Sequence, residues 1–281
     1  MGVAREVNPQ KRKLALLNGF DRSGTSFVGG LLSLHPAVNY MFQPFSRTEV
    51  HLTHNDIWQV NQVASQTKQF LSGLLQGRID RDYIAADYWQ RYSTSLEIRS
   101  DRLNLIKETK WHLKIEWLRY HFPEIQVYGL WRDPRGILCS LVRNNFHVTW
   151  YGNAFEEIAK TIRRVAALDA WRPFLTRNLD VVLKMAVIIA VRTEMMCQAI
   201  LPGHWLVYEN IVSDPNQGLK PLLEQESLGA FDFQPFYQDD FNIVGKRFEH
   251  ADKWKSFFGN QDRAMIDAVF APLSVPETVT P

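Results

Sequence analysis

Short apolar runs alternate along the chain with amphipathic segments, and this alternation predicts the fold class. Four runs have the length and composition of buried strands, namely LALLNGF (14–20), LNLIKE (103–108), IQVYGLW (125–131) and HWLVYENI (204–211). Apolar residues recur at helical spacing in FVGGLLSLHP (27–36), WHLKIEWLRYHF (111–122), ILCSLVRNNF (137–146), and roughly 154–201 with a break near Pro173. Such alternation predicts parallel βαβ units, and hence an α/β fold with an open, mostly parallel sheet flanked by helices.

Three polar segments leave the predicted strands at what should be one edge of the sheet. DRSGTS (21–26) follows the first strand, KETKWH (107–112) begins at the end of the second, and RDPRG (132–136) follows the third. In open α/β sheets, ligands bind outside the carboxyl ends of the strands. We therefore expect a common ligand site at this edge rather than three unrelated loops.

The composition is that of a globular protein. The chain has 281 residues, of which 46% are apolar and 22% charged, and this excludes a disordered or fibrous chain. Neither a low-complexity linker nor an internal repeat divides it, so we expect a single domain over 1–281 with an ordered core at about 14–272. The net charge of +2 gives no general attraction to nucleic acid or to a membrane surface.

The cysteines and the chain start favour a cytoplasmic location. Cys139 and Cys197 lie far apart and in no metal-binding spacing, which is typical of a reducing compartment. The start, MGVAREVNPQKRK, lacks the apolar run of a secretory signal. The longest apolar segment, VVLKMAVIIAV, is interrupted by Lys184 and is shorter than the roughly 20 residues that span a bilayer. These features predict a soluble protein with no membrane partner, and they leave its oligomeric state open.

The first loop has the glycine spacing of a phosphate-binding loop but lacks its lysine. GFDRSGTS (19–26) fits G-x-x-x-x-G-K-[ST] at both glycines and at the last position, whereas Thr25 replaces the lysine. Backbone N–H groups at the start of a helix bind anions, and here an arginine supplies the positive charge. The loop predicts a P-loop-like anion site formed by Arg22, Ser23, Gly24, Thr25 and Ser26.

The second loop adds a matching set of anion ligands. Arg132 ends a strand, and Ser140 follows it by two helical turns, so that the two can hold one phosphate from two sides. Asp133 before Pro134 predicts a capped helix start. Arg135 is either a further ligand or a surface charge.

Together, these motifs resemble the sulfotransferases that use 3′-phosphoadenosine-5′-phosphosulfate (PAPS). FDRSGTSFVGGLLSLHP (20–36) resembles their 5′-phosphosulfate loop. YGLWRDPRGILCSLVR (128–143) resembles their 3′-phosphate element, in which a serine follows the first arginine by eight residues. VYENIVSDP (207–215) and KRFEHADKWKSFF (246–258) resemble two further family segments. The likeness therefore runs over about 14–258.

The resemblance implies a transferase that moves a sulfuryl group from PAPS to a hydroxyl or amine, without a metal ion. The acceptor would be a small molecule or a saccharide. Arg22 and the first loop would contact the phosphosulfate, as would Lys107. Arg132 and Ser140 would bind the 3′-phosphate, which Arg247 would also reach.

The sequence departs from this family at the general base. Thr109 stands where cytosolic members carry a histidine, and Gln43 stands where carbohydrate-type members carry a glutamate. Gln43 can orient an acceptor by hydrogen bonds but cannot take its proton. We therefore expect Glu108, next to Lys107, to be the base, with His51 as the next candidate. The remaining candidates are Glu49, His54 and His112.

Two other functions stay open at this point. One is a P-loop-type nucleotide kinase, although the missing lysine speaks against it and no acidic partner for magnesium is evident. A non-catalytic protein that binds a bisphosphate nucleotide on the same fold would explain the missing glutamate and histidine. Magnesium-dependent turnover of ATP, or binding without transfer, distinguishes these functions from a sulfotransferase.

Overall fold

The computed structural model of the protein describes residues 13–45, 60–61, 63, 65–79, 97–146, 154–235 and 253–276. Within these ranges, five strands form one sheet. The strands are β1 (Leu14–Asn18), β2 (Val38–Phe42), β3 (Leu103–Glu108), β4 (Ile125–Trp131) and β5 (Trp205–Val207). Their order is β2-β3-β1-β4-β5, and every pairing is parallel. The predicted α/β class with an open parallel sheet is confirmed.

Helices connect and cover the strands. They are α1 (Thr25–Leu32), α2 (Ser65–Leu75), α3 (Ile115–His121), α4 (Pro134–Arg143), α5 (Phe155–Arg164), α6 (Val181–Ala199), α7 (Tyr208–Ser213), α8 (Pro215–Gln225), α9 (Lys253–Phe257) and α10 (Asn260–Phe270). Two 3₁₀ helices lie at Ala166–Thr176 and Pro202–His204. None of the helices in the described ranges is both long and apolar enough to cross a membrane.

The sheet buries both of its faces, which explains why its strands read as continuous apolar runs. Alternate residues of each strand point to opposite sides. Leu16 and Ile106 belong to the core cluster that contains much of α6, whereas Leu17 and Leu105 belong to the cluster that contains α1. Burying one such side chain stabilises the fold by about 1.5–3 kcal/mol, and the two clusters hold β1 in the middle of the molecule.

The strand register brings the three polar loops to one edge, as predicted. Leu17 of β1 lies opposite Lys107 of β3, and Asn18 lies opposite Gly129 of β4. Since all three strands run in the same direction, the segments that follow them emerge side by side. The backbone N–H of Gly19 donates to the carbonyl oxygen of Glu108 (3.4 Å), which joins the first loop to the end of β3.

The structure corrects the prediction for residues 204–211. Only Trp205–Val207 forms a strand, and Tyr208 already begins α7. The buried residues Tyr208 and Ile211 have helical rather than alternating spacing. The close contact between α7 and α8 depends on Gly218, where a Cβ atom would lie 2.6 Å from the Cα of Ile211.

Two further elements differ from their predictions. β2 at Val38–Phe42 was not among the predicted strands. The segment 111–122 begins with a turn, in which the N–H of Lys114 donates to the carbonyl of Trp111 (2.8 Å), so that α3 starts only at Ile115. The predicted break near Pro173 is confirmed: the stretch 154–201 divides into α5, a 3₁₀ helix that contains Pro173, and α6.

Candidate active site

The first loop enters α1 through a left-handed glycine. Gly24 has φ 100° at the N-cap position, and no side chain caps the helix. The first intrahelical bond runs from the N–H of Val28 to the carbonyl of Gly24 (3.0 Å). The N–H groups of the first turn therefore have no capping side chain, and the helix dipole adds positive potential there. This is the backbone arrangement that binds phosphate and sulfate groups.

Arg22, Arg132 and Ser140 converge beside this helix start. The Nε of Arg22 donates to the Oγ of Ser140 (3.2 Å) across 118 positions of the chain. The Nη1 of Arg132 donates to the carbonyl oxygen of Arg22 (2.7 Å). In the described part of the chain, neither guanidinium forms an ion pair with a carboxylate. Two positive groups and a hydroxyl thus meet at a helix N-terminus, which is an arrangement suited to a multiply charged anion.

Tyr208 packs against both loops, and the sequence analysis did not single it out. Its ring centroid lies 4.5 Å from the Cζ of Arg132. A Cβ atom on Gly24 would lie 2.4 Å from the same ring, so that only glycine fits there. Tyr208 belongs to the VYENI segment, and that resemblance was the one signal that pointed to it. The side chain holds Arg132 and the first loop in a fixed relation.

The start of α4 is held by carboxylates of its own. The Oδ1 of Asp133 accepts from the N–H of Arg135 (2.9 Å), which confirms the predicted cap. The Oε1 of Glu209 accepts from the N–H of Asp133 (3.3 Å). Burial raises the pKa of Glu209 above its usual value. These contacts fix the backbone on the C-terminal side of Arg132.

Arg135 is engaged in protein contacts rather than turned toward Arg132 and Arg22. Its Nε pairs with Asp133 (2.9 Å), its Nη1 pairs with Asp267 (3.2 Å), and its Cζ lies 4.4 Å from the ring centroid of Trp254. The side chain therefore ties α4 to the C-terminal helices α9 and α10.

The three hydroxyls of the first loop are not equivalent. Ser23 is fully buried, its N–H donates to the carbonyl of Phe20 (2.9 Å), and its Oγ has no hydrogen-bond partner in the described part of the chain. Thr25 is 2% exposed, whereas Ser26 is half-buried. A ligand approaching from solvent therefore meets Ser26 and the backbone more readily than Ser23.

Lys107 is a buried cation beside the first loop. It is 2% exposed, and its Nζ lies 4.4 Å from the ring centroid of Phe42. Burial lowers its pKa from 10.5 to about 8, while the negative charges of Asp21 and Glu108 oppose that change. An anion bound at this edge would stabilise the charged form of Lys107.

Glu108 lies next to Lys107 and is fully buried. Its Oε1 accepts from the N–H of Phe45 (2.8 Å), which holds the backbone that follows β2. The two positions that departed from the family pattern are in direct contact, because the Nε2 of Gln43 donates to the Oγ1 of Thr109 (2.8 Å). All four side chains thus lie at the ends of β2 and β3.

His112 is held in a form that does not take a proton. The Nη2 of Arg192 lies 2.6 Å from the Nδ1 of His112 and also donates to the carbonyl of Thr109 (2.7 Å). Because a guanidinium only donates, Nδ1 is the acceptor and the proton resides on Nε2. Burial lowers the pKa of His112 well below its usual value, and Arg192 lowers it further. His112 is therefore a poor candidate for the base.

Four of the predicted site residues, namely Glu49, His51, His54 and Arg247, lie outside the described residues. Among the residues that are described, no group of three or more His, Cys, Asp or Glu side chains is placed to hold a metal ion.

Comparison with known proteins gives only loose similarities. No protein-family model matches the chain, and no curated protein sequence matches it. The solved sulfotransferase STF9 from Mycobacterium avium aligns over 95% of this chain and 79% of its own, with 13% identity and a TM-score of 0.48. Sulfotransferase domains from the curacin biosynthetic pathway and from the Synechococcus PCC 7002 olefin synthase align over 96% and 98% of this chain and 94% and 100% of their own, each with 14% identity and a TM-score of 0.43. TM-scores below 0.5 are too low to assign an activity.

Proposed function

We propose that this protein is a sulfotransferase that uses PAPS as its sulfuryl donor. The observation that carries the proposal is the convergence of Arg22, Arg132 and Ser140 at the uncapped start of α1. The three residues come from the two loops whose sequences resemble the family's phosphate elements. A donor with phosphates at both its 5′ and 3′ positions matches a site in which two such loops are joined.

In the proposed reaction, the acceptor oxygen or nitrogen forms a bond to sulfur while the bond from sulfur to the bridging phosphate oxygen breaks. The electron pair of that bond stays on the phosphate oxygen, and adenosine 3′,5′-bisphosphate leaves. Arg22 and the first-turn N–H groups of α1 stabilise the charge that develops on this oxygen. Lys107 neutralises charge on the transferring group. Arg132 and Ser140 bind the 3′-phosphate.

The proton of the acceptor needs a destination, and we assign this role to Glu108. It directly follows Lys107 at the end of β3, on the edge where the loops meet. Its contact with the N–H of Phe45 supports a rival role, in which the carboxylate only holds the backbone after β2. Replacing Glu108 separates the two roles, as described in the Discussion. His51 is the next candidate.

Calorimetry tests the donor site. Adenosine 3′,5′-bisphosphate should bind without magnesium, and ATP should bind more weakly both with and without magnesium. Tighter binding of ATP that requires magnesium would contradict the proposal and favour a kinase. Transfer of a labelled sulfuryl group from PAPS to hydroxyl or amine compounds tests the activity itself. Binding of the bisphosphate without transfer to any acceptor would favour the non-catalytic alternative.

The acceptor and the location stay proposals as well. We infer a small-molecule or saccharide acceptor and a cytoplasmic enzyme. The state of the cysteines supports the second inference: Cys139 and Cys197 are both free thiols. Burial raises the pKa of both thiols, that of Cys197 to about 12, so that neither is a reactive thiolate at neutral pH. Fractionation of the native cells tests the location.

A further inference from the structure

Gln43 and Thr109 form a hydrogen-bonded pair at the carboxyl edge of the sheet. The Nε2 of Gln43 donates to the Oγ1 of Thr109 (2.8 Å), although the two residues lie 66 positions apart. The N–H of Gln43 also donates to the carbonyl oxygen of Lys107 (2.8 Å). Gln43 follows β2 and Thr109 follows β3. The pair therefore has a fixed place between two strand ends, beside the lysine that we assign to the transferring group.

Gln43 adopts a backbone conformation that disfavours an L side chain. Its φ is 43°, in the left-handed region where glycine is the favoured residue. Strained positions of this kind cluster at functional sites, where the side chain is retained for its function despite the energetic cost of the backbone conformation. The conformation places the amide of Gln43 against Thr109, which is 2% exposed, while Gln43 itself is half-buried. Thr109 thus forms the buried half of the pair, and Gln43 faces outward.

The hydrogen bond to Thr109 also orients the amide. Because Nε2 points to Thr109, Oε1 lies on the other side of the amide group, and among the described residues it accepts no hydrogen bond. An amide oxygen accepts hydrogen bonds but does not take up a proton near neutral pH, and the threonine hydroxyl does not ionise there either. The pair can therefore hold a group that donates a hydrogen bond, but it cannot deprotonate it.

We propose that the Oε1 of Gln43 accepts a hydrogen bond from the hydroxyl or amine that attacks the sulfur atom, with Thr109 as a positioning residue that orients the amide. The inference rests on the proposed function. It makes Gln43 a specificity residue for acceptors whose nucleophile is a hydrogen-bond donor. It also separates recognition of the nucleophile, at Gln43, from removal of its proton, at another residue.

The test combines four variants with two panels of acceptors. Labelled PAPS is offered with hydroxyl compounds (phenols, alcohols, monosaccharides) in one panel and with primary amines in the other. Gln43→Gly removes the amide and relieves the backbone strain, so that it should melt at the same temperature as the wild type or higher. Its KM for the acceptor should nevertheless rise by about 2- to 10-fold, as expected for one lost hydrogen bond. A more stable variant with poorer acceptor binding would not be explained by misfolding.

The other three variants test the chemistry of the pair. Thr109→Val keeps the shape but loses the hydroxyl, and should raise the same KM, whereas Thr109→Ser should restore it. Gln43→Glu keeps the shape and adds an ionisable group, so that its pH profile of kcat should show an ionisation that the wild type lacks. The dissociation constant for adenosine 3′,5′-bisphosphate should stay within 2-fold of wild type in all four variants, because neither side chain of the pair is assigned to the donor.

Three results would overturn the inference. An unchanged acceptor KM in Gln43→Gly would show that the amide binds nothing. Equal damage by Thr109→Ser and Thr109→Val would show that the threonine acts by packing alone. An unchanged pH profile of kcat in Gln43→Glu would show that this side chain does not face the nucleophile. Failure of the wild type to bind the bisphosphate, or binding without transfer to any compound of either panel, would instead contradict the proposed function, so that the two failures are distinguishable.

Discussion

Replacing Arg132 by alanine removes the guanidinium that joins the two loops of the proposed donor site. In the structure, this group donates to the carbonyl of Arg22 (2.7 Å) and stacks on Tyr208 at 4.5 Å. A hydrogen bond to a charged partner contributes about 1.5–3 kcal/mol. We therefore expect the dissociation constant for adenosine 3′,5′-bisphosphate to rise by about 10- to 150-fold. Loss of the bond to Arg22 also loosens the first loop, so that we expect a rise near the upper end of this range.

Calorimetry measures the change, and Arg119→Ala provides a matched control. The Nη1 of Arg119 donates to the carbonyl of Ala199 (2.6 Å), which is the same kind of bond as the one between Arg132 and Arg22. Arg119 lies in the last turn of α3, just before β4 begins, and thus at the opposite edge of the sheet. Its removal should leave the dissociation constant within 2-fold of the wild type. Both variants should melt cooperatively.

Two results would refute this reasoning. If Arg132→Ala bound the bisphosphate as tightly as the wild type, the second loop would not be a phosphate element. If Arg119→Ala weakened binding as much as Arg132→Ala, the effect would be a general loss of stability. A third variant, Arg132→Lys, keeps the charge but not the planar fork of donors. It should bind with an affinity between those of the wild type and Arg132→Ala.

Three further residues, Lys107, Glu108 and Arg22, give predictions about catalysis and pH. If the cation of Lys107 is required, kcat/KM should fall as the pH rises through about 8. The pH profile of Lys107→Met should lack this decrease. Above pH 8, Lys107 loses its proton in the folded protein but keeps it in the unfolded chain. The free energy of unfolding of the wild type should therefore rise relative to that of Lys107→Met between about pH 8 and 10, as urea titrations would show. Glu108→Gln should keep the affinity for the bisphosphate but lower turnover by about 100-fold or more. Near-normal turnover would show that Glu108 is not the general base, and His51 would then be tested for that role. Arg22→Ala should lower kcat more than donor affinity, and a larger effect on affinity in steady-state kinetics would contradict its role at the leaving oxygen.

Local pattern was sufficient for two of the strands that carry the polar loops. The bounds predicted for β3 and β4 agree with the structure residue by residue, because a strand buried on both faces is a short apolar run with polar residues at its end. The Asp133 cap was also predictable, since an aspartate before a proline suits a helix start. The rule that ligands bind at the carboxyl ends of parallel strands then placed the three loops together.

Local pattern failed where a contact with a distant segment decides the structure. VYENI was expected to extend a strand, yet Tyr208 begins a helix instead. The ring of Tyr208 packs on Gly24. Arg135 was open to two interpretations until Asp267 and Trp254 were placed beside it. The short run VNYMF gave too little signal to be recognised as β2, so that Gln43 was singled out without its place at the end of a strand.

The sequence by itself determined the class of fold, the edge at which the three polar loops meet and the residue types that can bind an anion there. Those properties follow from periodicity and from spacing along the chain, which are local. The tertiary structure alone decided that Arg22 contacts Ser140, that Gln43 contacts Thr109, and that Arg192 holds His112 as a hydrogen-bond acceptor. Each of these contacts joins residues 66 to 118 positions apart, and such pairs meet only because the parallel register and the packing of the helices bring strand ends together.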